Sequence, residues 1–393
     1  MSDKSHASQA RRFACERSAE TPPSVPWPFL RPFVTTALRT VICAISVTWP
    51  RCFFATISKY PTTVVPSAAF NAKRGRKSKA LFALLTVCVF GSAVGLERVL
   101  PARAKRYVVI HSDDAGMYPS VNQATIDAME RGIVSSCSIL VPCPAFEEFA
   151  RYARAHPERD FGVHLDLNCE TKTYRWGPVL GKARVPSLVD PQGFLWQDPE
   201  DTATHAKIDE VEAELRAQID RCRNAGVRIS HLDHHMFVLV KRPDFLRLYV
   251  RLGLQYDLPI RYSVAMPDRD DLNPNDAEMV KTYHDELAAL QSLGMPLFTK
   301  IDSANYDVTP PKKRQYFFDL FHNLGPGVSE ILIHCAYGPS GPLHAPNIER
   351  READTRVFMS QDTADALARQ GIGVIDWRAF RQMHDDKRGP NRF

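Results

Sequence analysis

The sequence predicts an α/β protein whose catalytic domain, residues 105–385, is a TIM-like (β/α) barrel. Two observations support this prediction. Eight short apolar or β-branched runs alternate with helical patterns across roughly 280 residues, which is the length and rhythm of such a barrel. The reactive side chains also follow predicted strands, and the carboxyl ends of barrel strands form the catalytic face. A doubly wound open sheet is the alternative fold.

The predicted strands and helices take turns along the chain. The strands are short and mostly apolar: Tyr107–Ser112, Ser138–Val141, Phe161–Leu165, Arg228–Asp233, Ile260–Ser263, Leu297–Ile301, Glu330–His334 and Gly373–Asp376. The helices lie between them, at Ser120–Glu130, Phe146–His156, Asp209–Ala225, 243–252, 276–293, 310–323 and 360–370. The first helix has one apolar face, and Gly132 suits its C-terminal cap. The weak strands near 138 and 260 would make the barrel irregular. The aperiodic stretch 166–208 is predicted to be a loop insertion that shapes the substrate cleft.

The first 104 residues differ from the rest of the chain and predict a non-globular leader. They hold 15 Lys and Arg but only 4 Asp and Glu. A basic segment at Lys73–Lys79 precedes the uncharged run Ala80–Leu96, and candidate cleavage sites are Gly91-Ser92-Ala93 within that run and Ala102-Arg103-Ala104 after it. This order is typical of a signal peptide within about 73–104 and predicts export to the periplasm or the cell exterior. An uncleaved leader would instead anchor the protein in a membrane through residues 80–96, and a non-functional one would leave it in the cytoplasm.

The body that follows the leader is mildly acidic. It holds 35 basic and 41 acidic side chains, which argues against a nucleic-acid partner. Its five cysteines contain no C-x-x-C pair, which argues against a structural zinc site. Residues 386–393 form a polar tail.

The residues that can carry chemistry are Asp and His side chains placed at strand ends. They are Asp113 and Asp114 after the first strand, His164 on the third, His231, Asp233 and His235 on the fourth, and His334 on the seventh. Taken singly, an Asp pair also suits a helix-entry turn, and a lone strand histidine is more often a packed core residue. Their joint placement favours a site, because independent structural histidines have no reason to select strand ends. One carboxylate with two imidazoles would leave coordination positions open, which is typical of a catalytic metal. Spacing alone does not decide which carboxylate and which imidazoles these are.

At these residues the sequence resembles the YdjC-like carbohydrate deacetylases over about residues 107–380. The matching segments, in order, are His111-Ser112-Asp113-Asp114-Ala115-Gly116, Gly132-Ile133-Val134-Ser135-Ser136, Gly162-Val163-His164-Leu165, His231-Leu232-Asp233-His234-His235, Glu330-Ile331-Leu332-Ile333-His334 and Arg351-Glu352-Ala353-Asp354. The sequence departs from the family pattern after His235, where Met236-Phe237-Val238-Leu239 supplies no further histidine. Ala115 and Asp354 replace the usual Phe and Glu.

The resemblance implies a metal-dependent hydrolase that removes N-acetyl groups from an amino-sugar-containing carbohydrate. It implies that Asp114, His164 and His235 hold a divalent ion, magnesium or zinc. It also implies that Asp113 is the general base and His334 the general acid. His231 and Asp233 either orient the ligands or simply pack in the strand.

Other functions stay open at the level of sequence. A glycosidase on the same barrel needs two acids that flank the bond, and adjacent Asp113 and Asp114 point in divergent directions. A carboxylate with two histidines is also the ligand set of non-haem iron oxygenases. A non-catalytic sugar-binding relative is a further alternative, although all five reactive positions are present.

Overall fold

The structure is a computed structural model that describes residues 105–266, 272, 275–338 and 345–388. The predicted leader, residues 1–104, lies outside these residues, as does most of the predicted polar tail. No helix in the described part of the chain combines the length and the apolar character needed to cross a bilayer.

The described strands form one parallel sheet. The strands are β1 Arg106–Ala115, β2 Ser136–Ile139, β3 Phe161–Leu165, β4 Ile229–His234, β5 Lys300–Asp302, β6 Gly327–Ile333 and β7 Ile372–Val374. Their order is β4-β3-β2-β1-β6-β5. One side of β1 pairs with β6, and the other pairs first with β7 and then, further along, with β2. The longest strand, β1, is therefore the centre of the sheet.

Helices connect successive strands, as parallel pairing requires. They are α1 Pro119–Arg131, α2 Phe146–Ala155, α3 Pro199–His205, α4 Ile208–Asn224, α5 Pro243–Tyr256, α6 Ala277–Ser292, α7 Lys313–Asn323, α8 Ile348–Phe358, α9 Gln361–Arg369 and α10 Trp377–Arg388. The predicted α/β architecture is confirmed. Helices α3, α8 and α10 were not predicted, and the predicted loop 166–208 contains α3 and a short 3₁₀ turn, Pro186–Leu188.

The predicted strand Ile260–Ser263 is wrong, because this segment makes only isolated bridges. Ile260 pairs with Leu232 of β4, and Ser263 pairs with Phe298 just before β5. Backbone hydrogen bonds continue through it, from Arg261 N to Leu232 O (3.0 Å) and from Phe298 N to Tyr262 O (3.0 Å). The segment thus links β4 to β5 and joins the two edges of the sheet into an irregular barrel.

The remaining differences concern strand boundaries. The predicted Leu297–Ile301 strand is only Lys300–Asp302, and the second strand begins at Ser136 instead of Ser138. The first strand is longer than predicted and runs through Asp113 and Asp114 to Ala115. This extension carries both carboxylates on the strand itself, at the carboxyl face of the barrel.

Candidate active site

The carboxyl ends of the strands enclose a cavity of about 250 Å³. All five site residues predicted from the sequence line it. Together the lining residues are Asp113, Asp114, His164, Glu170, His234, His235, Met236, Phe237, Ser303, Tyr306, Leu332, His334 and Arg351. The parallel barrel therefore brings together side chains that lie more than 200 positions apart in the sequence.

Asp114 lines the cavity and is almost fully buried. Its backbone is left-handed, with φ at 71°, a conformation that costs a non-glycine residue free energy but that Asp tolerates better than most. Its Oδ1 lies 3.2 Å from Nδ1 of His235 and 3.4 Å from Nε2 of His164. These three buried side chains offer ligand atoms within 4.8 Å of one another. They are the set that the resemblance implied.

The surroundings of Asp114 fit a divalent cation. Within the described part of the chain neither of its buried oxygens accepts a well-directed hydrogen bond, although Nη2 of Arg351 lies 2.7 Å from Oδ2. Burial alone would raise the pKa of Asp114, but the Arg351 guanidinium and the two imidazoles hold it well below its usual value. An ionised, buried carboxylate with two converging imidazole nitrogens is the donor set of zinc and of other divalent ions.

Carboxylates on the far sides of the two imidazoles fix their orientation. Nδ1 of His164 donates to Oδ1 of Asp233 at 2.8 Å, and Nε2 of His235 donates to Oε2 of Glu170 at 3.1 Å. Burial lowers the pKa of His164, but Asp233 and Asp113 raise it to about 9. Such carboxylate partners set the ring orientation of metal-binding histidines and increase their basicity.

Asp113 is held by a buried arginine. Arg261 Nη2 donates to Asp113 Oδ1 at 2.7 Å, and Nη1 donates to Oδ2 at 3.1 Å. Burial would raise the pKa of Asp113, but Arg261 and His164 bring it below its ordinary value. Asp113 is therefore an ionised acceptor with a fixed orientation, which suits a general base.

Arg261 also connects the site to the barrel interior. Its Nη2 lies 2.7 Å from Asp233 Oδ2, and its Nε donates to Glu330 Oε2 at 3.0 Å. Glu330 in turn accepts a hydrogen bond from Nε1 of Trp377 at 3.0 Å. One buried guanidinium thus contacts three carboxylates.

The cavity lining distinguishes the candidate metal groups. His111, His231 and Asp233 form a second cluster with suitable spacing, and Asp113, His164 and Asp233 form a third. Both contain Asp233, which is not among the residues that line the cavity, whereas Asp114, His164 and His235 all line it. An ion at the cluster of Asp114, His164 and His235 would therefore be open to a substrate.

His334 directly follows β6 and lines the same cavity as Asp114. Its Nε2 lies 3.9 Å from Asp114 Oδ2, and its ring centroid lies 4.9 Å from that of Tyr306. Burial lowers the pKa of His334 to about 3, so the resting imidazole is neutral. Its side chain keeps 17% exposure, more than the ligand histidines retain, which leaves it open to a substrate.

Buried polar contacts support the backbone at His334. The His334 N–H donates to Asp354 Oδ2 at 3.2 Å, and Oδ1 of Asp354 lies 2.8 Å from Nζ of Lys313. Lys313 also donates to Asn305 Oδ1 at 3.2 Å, one residue before Tyr306. The buried ammonium therefore links the segment that carries His334 to the segment that carries Tyr306.

Two roles were predicted for His231, orienting the metal ligands or packing in the strand. Its contacts are those of a packed residue. Its ring stacks on Trp377 with centroids 4.3 Å apart, and Nδ1 lies 2.8 Å from Ser230 Oγ. A β carbon at Gly162 would lie 2.2 Å from its Nε2, so the imidazole fills the space that glycine leaves. Asp233, in contrast, contacts a candidate ligand directly.

The sequence did not indicate three residues at or beneath the site, Glu170, Arg261 and Lys313, or the contact of Arg351 with Asp114. Arg351 was part of a recognised segment but had no assigned role. Glu170 lies in the aperiodic insertion, and no spacing rule connects it to His235.

The fold and the site together define a class of protein, the parallel α/β barrels with a polar site at the carboxyl face. In this site a buried aspartate lies next to two imidazoles. An ionised aspartate and a neutral histidine line the same cavity. The chain belongs to the YdjC-like protein family, whose sequence profile matches residues 107–369. The resemblance seen in the sequence motifs is thereby confirmed.

Proteins named as carbohydrate deacetylases are similar to most of this chain. A carbohydrate deacetylase from Enterococcus faecalis is 34% identical over 285 residues, which cover 70% of this chain and 99% of that protein. One from Geobacillus stearothermophilus is 28% identical over 282 residues, which cover 71% of this chain and 99% of that protein. The crystal structure of a proposed cellobiose-phosphate cleavage protein from Enterococcus faecalis superposes with a TM-score of 0.58 at 25% identity, covering 71% of this chain and all of that one.

Proposed function

We propose that this protein is a metal-dependent carbohydrate deacetylase that hydrolyses the N-acetyl group of an amino sugar, giving acetate and a free amine. The observation that carries the proposal is the convergence of Asp114, His164 and His235 beside an ionised Asp113. The names of the relatives, carbohydrate deacetylases, support the reaction and the substrate class.

In this proposal Asp114, His164 and His235 would hold one divalent ion, zinc or magnesium. Such an ion lowers the pKa of a coordinated water and polarises the acyl oxygen. Asp233 and Glu170 keep the two imidazoles aimed at it through their hydrogen bonds. Arg351, 2.7 Å from the other oxygen of Asp114, restrains that carboxylate.

Asp113 accepts the proton of the attacking water. Its charge is available because Arg261 holds its pKa low, and the two hydrogen bonds from the guanidinium fix its orientation. The water oxygen bonds to the acyl carbon as this proton leaves. Positioned proton transfer of this kind typically accelerates a reaction about 10²–10⁴-fold.

His334 delivers a proton to the nitrogen as the C–N bond breaks. Its low pKa means that it is neutral at rest, so it takes up a proton as negative charge develops and passes it to the amine. The proton that Asp113 removed from water returns to solvent and balances the one that His334 delivered. The hydroxyl proton left on the acyl group is lost as acetate forms and protonates the released amine. Acetate and the ammonium form of the sugar then leave.

The titration states argue against a carboxylate-pair glycosidase. That reaction needs one carboxyl group protonated and one ionised. Arg261 and Arg351 instead bring the pKa values of Asp113 and Asp114 below normal, so both are ionised at neutral pH.

We also propose that the protein is exported, on the basis of the basic and apolar segments at residues 73–96. N-terminal sequencing of the protein purified from its natural host tests this. A mature end between residues 91 and 105 supports export, and an intact leader on a cytoplasmic protein contradicts it.

The reaction is tested by measuring acetate release from a panel of N-acetylated saccharides, with the chelated protein and with added Zn²⁺ or Mg²⁺. Release that requires the ion and is lost in Asp113→Asn supports the proposal. Asp244→Asn, at a partly exposed residue outside the cavity, is the matched control. Release that is indifferent to chelation contradicts metal dependence, and cleavage of a glycosidic bond without acetate would favour the glycosidase.

A further inference from the structure

The residues that follow His235 have an unusual backbone. Met236 (φ 48°, ψ 27°) and Phe237 (φ 54°, ψ 22°) are both left-handed within the turn His235–Val240. Neither is glycine, and each such residue costs on the order of 1–3 kcal/mol, so it persists only where neighbours enforce it. Strain of this kind next to a candidate metal ligand points to a role for the side chains that it positions.

The rest of the turn shows what enforces this backbone. Val238, Leu239 and Val240 are buried directly after the strained pair. The Phe237 ring packs edge-on against His234, with centroids 5.7 Å apart. The turn is therefore anchored in the core on one side, while Met236 and Phe237 remain only half-buried.

Both side chains line the cavity that holds the candidate metal ligands. Phe237 also lines a smaller void of about 30 Å³, together with Tyr249, Tyr262 and Tyr283. This residue therefore borders both spaces.

The cavity lining divides into a polar part and an apolar part. The carboxylates and imidazoles are engaged with each other and with Arg261 or Arg351. The large half-buried apolar surfaces in the lining come from Met236, Phe237 and Tyr306. A pyranose ring has polar edges and apolar C–H faces, and the apolar faces suit such a wall.

We propose that Phe237, assisted by Met236, forms the surface against which the sugar ring of the substrate packs. This makes Phe237 a specificity-determining residue for saccharides. The inference rests on the proposed function in one respect, that the acetyl group is carried by a sugar. It assigns a role to the segment where the sequence departs from the family motif, with an apolar wall in place of further histidines.

Two measurements on Phe237→Ala test this proposal. The first is calorimetric binding of the N-acetylglucosamine disaccharide to the intact protein. The second is turnover of ethyl acetate, which presents an acetyl group with neither a sugar nor an aromatic ring. We expect saccharide binding to weaken about tenfold, as loss of about 50 Å² of apolar contact would cause, and ester turnover to fall by a much smaller factor. Phe237→Trp should restore binding, because it supplies a comparable aromatic face.

Phe318→Ala is the matched control, because this half-buried phenylalanine on α7 does not line the cavity. Equal saccharide binding by Phe237→Ala and wild type overturns the proposal, as does wild-type protein that binds no saccharide. An equal loss of binding and ester turnover overturns it too, since it indicates a general disturbance of the site. Acetate release by wild type is judged separately: its absence refutes the proposed reaction, while the binding comparison still decides the role of Phe237.

Discussion

Replacing Asp233 by asparagine should weaken metal binding without unfolding the protein. Asp233 accepts from Nδ1 of His164 at 2.8 Å with one oxygen, and its other oxygen lies 2.7 Å from Arg261 Nη2. An amide of the same shape cannot serve both partners. With its oxygen toward His164, its NH₂ opposes the guanidinium. With the amide reversed, Nδ1 loses its acceptor, and the tautomer that presents a lone pair at Nε2 is disfavoured.

The expected loss is 10- to 100-fold in affinity for the ion, the range typical of removed carboxylate partners of metal-binding histidines. That range corresponds to about 1.4–2.8 kcal/mol. The assay is competition for Zn²⁺ against a chromogenic chelator, with the melting temperature recorded in parallel. Asp160→Asn is the control, since Asp160 is equally buried but contacts Ser136 and Ser230 instead of a candidate ligand. Unchanged affinity in Asp233→Asn would refute the role given to this hydrogen bond.

Three further predictions concern stability. Burial raises the pKa of Asp160 from 3.8 to about 6. Its favourable contribution to the free energy of unfolding is therefore complete below pH 3.8 and is lost as the pH rises through 6. The free energy of unfolding of wild type in urea should therefore fall by about 2 kcal/mol more between pH 4 and 7 than that of Asp160→Asn, and parallel pH profiles would contradict this. Gly162→Ala should lower the free energy of unfolding by about 1–3 kcal/mol, because the added carbon meets His231 at 2.2 Å; an unchanged urea midpoint would show that the ring can move. Lys313→Met leaves Asp354 buried without its 2.8 Å ion pair and should cost about 3–5 kcal/mol in the same assay, whereas a cost below 1 kcal/mol would mean that the pair contributes little.

The alternating strands and helices could be predicted because apolar periodicity reports burial. Helix α8 escaped prediction because its buried face includes charged side chains, Arg351 and Asp354, which are paired with Asp114 and Lys313. Pattern reading assigns such residues to the solvent. The segment 260–263 looked like a strand for the opposite reason: its side chains are buried, but its backbone makes only bridges to β4 and to the start of β5.

In the candidate site, too, part could be predicted from the sequence and part could not. Asp113, Asp114, His164 and His334 could be predicted from their position at strand ends, because parallel strands bring their carboxyl ends to one face. The carboxylate and arginine partners that set their charge come from distant segments, and only the folded chain places Arg261 against Asp113 or Glu170 against His235. Sequence therefore predicted the reactive groups and not what sets their protonation.

We propose that one divalent ion is held by Asp114, His164 and His235, with His334 outside the ligand set. The deciding experiment is the metal content after dialysis against limiting Zn²⁺, measured on wild type and on the three histidine-to-alanine variants. We expect about one ion per chain in wild type and in His334→Ala, and near-complete loss in His164→Ala and His235→Ala. Equal retention or equal loss in all three variants would contradict it.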